Sequence, residues 1–116
     1  MHEPVAVVFA KRLKAARALR GVSQRALGGI VTGSKGNGGV RINRYEQGVN
    51  RADMDTAAAL ARALNVPLAY LFAEDDDQAE LLLAFAQLAK GERTKLLAHV
   101  KRMVADKPRK RVAVKR

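Results

Sequence analysis

The chain has 116 residues, the size of one domain with a small addition, and its 48% hydrophobic content is sufficient for a packed core. The absence of cysteine excludes disulfides, zinc thiolates and a thiol nucleophile. There is no apolar run of about eighteen residues and no secretory signal pattern, so we expect a cytoplasmic protein outside the membrane. Alanine and leucine are abundant and aromatic residues make up only 4%, which favours packed helices.

The net charge of +11 is distributed unevenly. Residues 1–52 contain ten Lys/Arg and two acids, residues 53–106 contain six and nine, and residues 107–116 contain six and none. The basic front half predicts a surface for a polyanion, and the acidic rear half predicts a surface for a different partner. The alternative, a generally basic soluble protein, does not account for this clustering.

The first two predicted helices cover residues 5–20 and 24–31. An apolar stripe at helical spacing indicates the first helix, and it consists of Val5, Phe9, Leu13 and Ala16. Gly21 ends this helix, and the Ser23 hydroxyl is the expected N-cap of the second. On the second helix, the predicted buried side consists of Ala26, Leu27, Ile30 and Val31. Gly28 lies inside it, where a small residue lets a neighbouring helix come close.

Residues 32–39 form a glycine-rich stretch that we interpret as a loop. A nucleotide-binding loop is disfavoured, because Lys35 is followed by glycine rather than Ser or Thr and no strand precedes the loop. A third short helix is predicted over residues 39–47, ending at Gly48. Ile42 and Tyr45 have the spacing of an inward-facing pair, which leaves the basic and amide side chains between them outside.

The rest of the chain reads as helices over residues 54–64, 67–72, 78–89 and 92–104, followed by a disordered basic tail at 107–116. Asp53 is the expected N-cap of the first of these. The acids at 74–77 lack the spacing of a calcium loop and match a helix N-terminus instead. The helices over 78–104 carry more apolar residues than one face needs, so we expect them either to dimerise or to pack on their own domain.

Three strings of this sequence resemble the phage-repressor-like (XRE or Cro-type) helix-turn-helix family. They are Ser23-Gln24 with Ala26-Leu27, then residues 42–48 (INRYEQG), then residues 60–68 (LARALNVPL). The resemblance implies an all-α fold, in which a five-helix lambda-repressor-like DNA-binding domain at residues 5–74 is followed by a C-terminal helical hairpin at 78–104. The second helix would cross the DNA backbone and the third would enter the major groove.

The resemblance also implies the roles of individual residues. Base edges would be read by Gly39, Val40, Arg41, Asn43 and Arg44. Phosphates would be bound by Ser23, Gln24, Arg25, Lys35, Asn37, Asn50 and Arg51. A structural ion pair would join Arg17 to Glu46. Independently of the family, an arginine side chain can bond guanine O6 and N7, and an asparagine can bond adenine N6 and N7.

One departure concerns the turn before the third helix, which is longer than is usual for the family by about four residues. The third helix therefore lacks a strong N-cap and begins on glycines. We hypothesise that this loop orders against the DNA backbone, with Lys35 and Asn37 contributing.

Together these features predict a sequence-specific transcriptional regulator, a repressor that binds double-stranded DNA as a homodimer. The alternative is an antitoxin-like protein-interaction module with a second protein as its partner and autoregulatory DNA binding. We expect no enzymatic activity, because no nucleophile–base pair or paired carboxylate is recognisable. We also expect no cofactor and no metal.

Overall fold

A computed structural model describes residues 3–32 and 37–108, and within these ranges the chain forms helices and no strands. The helices are α1 (Val5–Arg20), α2 (Gln24–Thr32), α3 (Gly38–Glu46), α4 (Met54–Ala63), a 3-10 helix (Leu68–Phe72), α5 (Asp76–Gln87) and α6 (Lys90–Ala105). The predicted all-α class is confirmed, and the fifth helix of the sequence is the 3-10 helix. Lys35 in the lengthened turn and residues 109–116 of the basic tail lie outside the described residues.

The ends of the helices are fixed by a few local groups. Gly21 has a φ of 65°, a left-handed conformation that ends α1. The Ser23 Oγ accepts the N–H of Ala26 at 3.0 Å, and the Asp53 Oδ1 accepts the N–H of Thr56 at 2.7 Å. Both predicted N-caps are therefore confirmed. They supply partners for N–H groups that the first turns of α2 and α4 leave without one.

The chain divides into two compact units, residues 1–86 and residues 87–116. In the first unit one apolar core joins all the helices from α1 to α5, and its largest fully buried side chains are Leu13, Leu27, Ile42, Leu60, Leu64 and Leu71. Ala79 of α5 belongs to the same core. The start of α5 therefore belongs to the same core as α2 and α3.

Arg12 connects α1 to the segment before α5. Its Nε donates to the carbonyl of Ala73 at 2.8 Å, and its guanidinium lies 3.2 Å from the Asp76 carboxylate. The same group lies 5.8 Å from the ring centroid of Tyr70, within cation–π range. These contacts hold the 3-10 helix and the first turn of α5 against α1.

α2 and α3 are in backbone contact at a pair of glycines. A Cβ on Gly28 would collide with the backbone of Gly38 and Gly39, and a Cβ on Gly38 would lie 2.7 Å from the carbonyl carbon of Gly28. The prediction that a small residue at Gly28 admits a neighbouring helix is confirmed, and that helix is α3. Gly29 has open space around it.

Several residues predicted to be buried are exposed, among them Ala26 on α2 and Leu68 on the 3-10 helix. Ile30 is 63% exposed, because it lies about 200° around α2 from Gly28, which faces α3. Val5 is 65% exposed because α1 extends beyond the core at its N-terminus, where Val8 takes a buried position instead.

The second unit contains α6. None of the sixteen residues of α6 is buried. Its exposed apolar side chains are Leu97, Val100, Met103 and Val104, and at helical spacing they fall on one side. At its start, the Glu92 carboxylate accepts the N–H of Ala89 at 2.8 Å. No described helix is both long enough and apolar enough to cross a membrane.

Candidate nucleic-acid interface

α3 is anchored from one side and exposed on the other. Ile42 and Tyr45 are buried in the core of the first unit, as their spacing predicted. The side chains of Arg41, Asn43 and Arg44 are exposed. This short helix thus presents two guanidinium groups and a carboxamide to solvent, while its inner side is fixed by packing. A rigid helix bearing such donors can read base edges in a major groove.

A buried carboxylate holds the end of α3 to α1. Glu46, whose side chain is 1% exposed, accepts bonds from the Arg17 guanidinium at 2.8 and 3.1 Å. Arg17 also donates to the carbonyl of Val22 at 3.0 Å. The hydrogen bonding that Arg17 donates to Glu46 is the main cause of a raised pKa of Arg17, and the negative charge of Glu46 adds to it. The predicted Arg17–Glu46 pair is confirmed.

Gln24 connects this buried pair to the exposed surface. Its Nε2 donates to the Glu46 Oε1 at 3.1 Å and to the Asn43 Oδ1 at 3.1 Å. The first residue of α2 is thereby bonded to two residues of α3. The sequence assigned Gln24 only to a phosphate and missed this bond. The bond between Gln24 and Asn43 joins residues nineteen positions apart, so no local sequence pattern indicates it.

The other predicted phosphate-binding residues lie around α2 and α3. Arg25 is exposed on α2, and Asn37 is exposed directly before α3. Asn37 makes no side-chain capping bond to α3, which agrees with the predicted lack of a strong N-cap. Asn50 and Arg51 are exposed in the connection between α3 and α4.

Gly39 and Val40 occupy the first turn of α3 in different ways. Gly39 is half-buried against the backbone of Arg25. Because it has no side chain, it offers only main-chain groups to a ligand. Val40 is exposed beside it.

The Asp53 carboxylate before α4 has a lowered pKa, mainly because the Thr56 N–H donates to it, and to a lesser degree because Arg41 is nearby.

Comparison with known proteins agrees with this arrangement. The profile of a helix-turn-helix family, HTH_3, matches residues 38–71. The crystal structure of the transcriptional regulator BswR is 35% identical to this chain, covers 83% of it and is itself covered to 95%, with a TM-score of 0.78. The chain belongs to the XRE-type helix-turn-helix family. No curated protein sequence matches it.

Within this helix-turn-helix protein the profile begins at the first residue of α3. α2 and the turn, which was predicted to be longer than is usual for the family, precede the matched residues. The close approach of Gly28 to Gly38 brings α2 and α3 together on either side of that turn. The two helices of the motif are therefore in backbone contact.

Proposed function

We propose that this protein is a sequence-specific transcriptional regulator that binds double-stranded DNA with α3 in the major groove. The observation that carries the proposal is the exposure of Arg41, Asn43 and Arg44 on a helix whose other side is buried through Ile42 and Tyr45. Arginine and asparagine side chains can form paired hydrogen bonds with guanine and adenine. Because a protein bound to an operator can block the access of other proteins to that DNA, we assign it the role of a repressor.

In this proposal the groups around α3 set the position of the protein on the DNA backbone. Ser23, Gln24 and Arg25 lie at the start of α2, and Asn50 and Arg51 follow α3. Gln24 contributes its backbone N–H here, because its Nε2 is already bonded to Glu46 and Asn43. Contacts from such groups to phosphates supply affinity and salt dependence without sequence preference. Lys35 belongs to the same proposed group and lies outside the described residues.

We further propose that the protein binds DNA as a homodimer through its C-terminal helices. One α3 contacts only a few base pairs, whereas two copies on half-sites about 34 Å apart double the contacts. α6 supports this proposal because Leu97, Val100 and Met103 are exposed although the helix is regular. An apolar helix face of this kind is stabilised when another helix covers it.

The test of DNA recognition starts from selection of preferred duplexes from a random pool by the full chain at a stated salt concentration. Arg44→Ala should then lose discrimination at one position of the selected site, by about 1–3 kcal/mol for a paired contact to guanine. Arg62→Ala is the matched control, because Arg62 is an exposed arginine on α4 rather than on the DNA-facing helices. It should leave the sequence preference unchanged.

A pool from which no sequence is enriched would contradict the proposal. So would equal relaxation of specificity by the two arginine variants, since that would show a general effect of charge.

A further inference from the structure

Val40 is the one exposed apolar side chain of α3, all nine residues of which are described. It is 50% exposed and lies one turn before Asn43 on the same side of the helix. Its neighbours toward the N-terminus are Gly38 and Gly39, which have no side chains. Val40 is therefore the first side chain that α3 presents at its N-terminal end.

The described residues around Val40 line an open recess of about 370 Å³ formed by Gln24, Arg25, Gly39, Val40 and Asn43. Two backbones are in close contact at this recess, because a Cβ on Gly39 would lie 3.0 Å from the Arg25 Cα. Any larger residue at Gly39 would push α3 away from α2. The recess thus has backbone at Gly39 and Arg25 and an apolar group at Val40.

The polar part of the recess has a defined hydrogen-bonding direction. The Glu46 carboxylate is ionised in its pair with Arg17 and can only accept hydrogen bonds. The group of Gln24 that faces Glu46 must therefore be the donor Nε2 and not the carbonyl oxygen. The same Nε2 donates to the Asn43 Oδ1 at 3.1 Å. Asn43 therefore keeps its Nδ2 as a donor for a ligand. The recess combines an apolar methyl surface at Val40 with an amide donor at Asn43.

We infer that this recess recognises thymine, with Val40 in contact with its 5-methyl group and Asn43 donating to its O4. Thymine is the base that shows a methyl group beside an acceptor in the major groove. Cytosine shows an amino donor and no methyl group, and both purines lack the methyl group. The inference rests on the proposed function, because it specifies which base edge that same site reads.

The experiment replaces each thymine of the selected duplex, one at a time, by deoxyuridine, which lacks only the 5-methyl group. Binding of the full chain is measured by fluorescence anisotropy at fixed salt. Loss of one buried methyl contact, about 0.8 kcal/mol, should weaken binding about fourfold at one position per half-site. Val40→Ala should weaken binding to the thymine duplex and remove most of the difference between thymine and deoxyuridine there.

Val49→Ala is the matched control, because Val49 is a 69% exposed valine in the connection after α3 and does not line the recess. It should retain the fourfold effect of the methyl group. A selected site without thymine, no deoxyuridine effect at any position, or an undiminished effect in Val40→Ala would overturn the inference while leaving the proposed function intact. A pool with no enriched sequence would overturn both.

Discussion

Residues 1–86 and residues 87–116 differ in where their apolar side chains lie. Among the described residues, every buried apolar side chain lies between Val8 and Ala79, within the first unit. In the second unit α6 has sixteen residues and buries none of them, although it carries leucine, valine and methionine. Both units contain leucine, valine and alanine, so the presence of apolar residues alone does not explain the difference.

This difference indicates that the two units are stabilised in different ways. In the first unit, neighbouring helices remove apolar surface from water, and this burial stabilises the fold without a partner. In the second, the backbone of α6 is regular while its apolar side chains remain exposed. Substitutions in the first unit should therefore change the free energy of unfolding, and substitutions on the apolar side of α6 should change association.

The largest effect is expected for Gly28→Ala, which tests the packing of the first unit. The added methyl group would collide with the backbone of Gly38, so α2 and α3 must separate. Overpacking of this kind typically costs 1–3 kcal/mol, and we expect a loss of about 2 kcal/mol in the free energy of unfolding. Urea denaturation of the full chain measures it.

Gly29→Ala is the control for this variant, because it makes the same change one residue away in open space. Alanine is favoured over glycine inside a helix, so this variant should be unchanged or more stable by up to about 1 kcal/mol. Similar losses for the two variants would show that helix propensity rather than the contact between α2 and α3 is responsible.

Leu97→Asp tests the second unit. It places a charge on the exposed apolar side of α6 and should shift a dimer toward monomer by at least about tenfold in dissociation constant, measured by analytical ultracentrifugation. The secondary structure of the chain should remain, since Leu97 is not part of the core of the first unit.

Ala98→Asp is the matched control, because Ala98 is exposed and lies about 160° around α6 from Val100, away from the apolar side. It should leave the dimer intact. A wild-type protein that is monomeric at every concentration would contradict the homodimer. Co-purification of a second protein that binds the full chain through α6 would favour the antitoxin-like alternative.

The smallest effect is expected at Asp53, where the first unit should respond to acid. Hydrogen bonds from Thr56 lower the pKa of Asp53 below its ordinary value of 3.8. Its charged form therefore stabilises the folded state above about pH 4, and this contribution is lost as the pH falls through the lowered pKa.

Asp53→Asn keeps a capping side chain but removes the charge. Thermal denaturation should find wild type slightly more stable than this variant near pH 6, with the difference closing below about pH 4. A difference that stays constant between pH 6 and pH 3 would contradict this origin.

Much of the fold could be predicted from the sequence because its determinants are local. Apolar spacing and caps such as Ser23 and Asp53 gave the helices to within about two residues, the usual scatter of such boundaries. Ile42 and Tyr45 were predicted to be buried because they are the large apolar residues at helical spacing in the short third helix. The family motif placed Arg17 opposite Glu46, and the structure confirms that pair.

The remaining features depend on how helices meet, which local patterns do not encode. Ile30 is exposed because Gly28 faces α3, and that orientation is set by a contact across the lengthened turn. Gln24 bonds to Asn43 only because α2 and α3 are close at that point. The recess beside Val40 likewise arises from Gly39 lying against Arg25, a relationship visible only in three dimensions.

The contacts of Arg12 with Ala73, Tyr70 and Asp76 determine where the chain can be shortened. A version ending at residue 74 would retain all of α1 to α4 yet deprive Arg12 of its carboxylate partner. It would also expose the core surface that Ala79 now covers. For domain exchange or fusion to another protein, the earliest suitable cut is after residue 86.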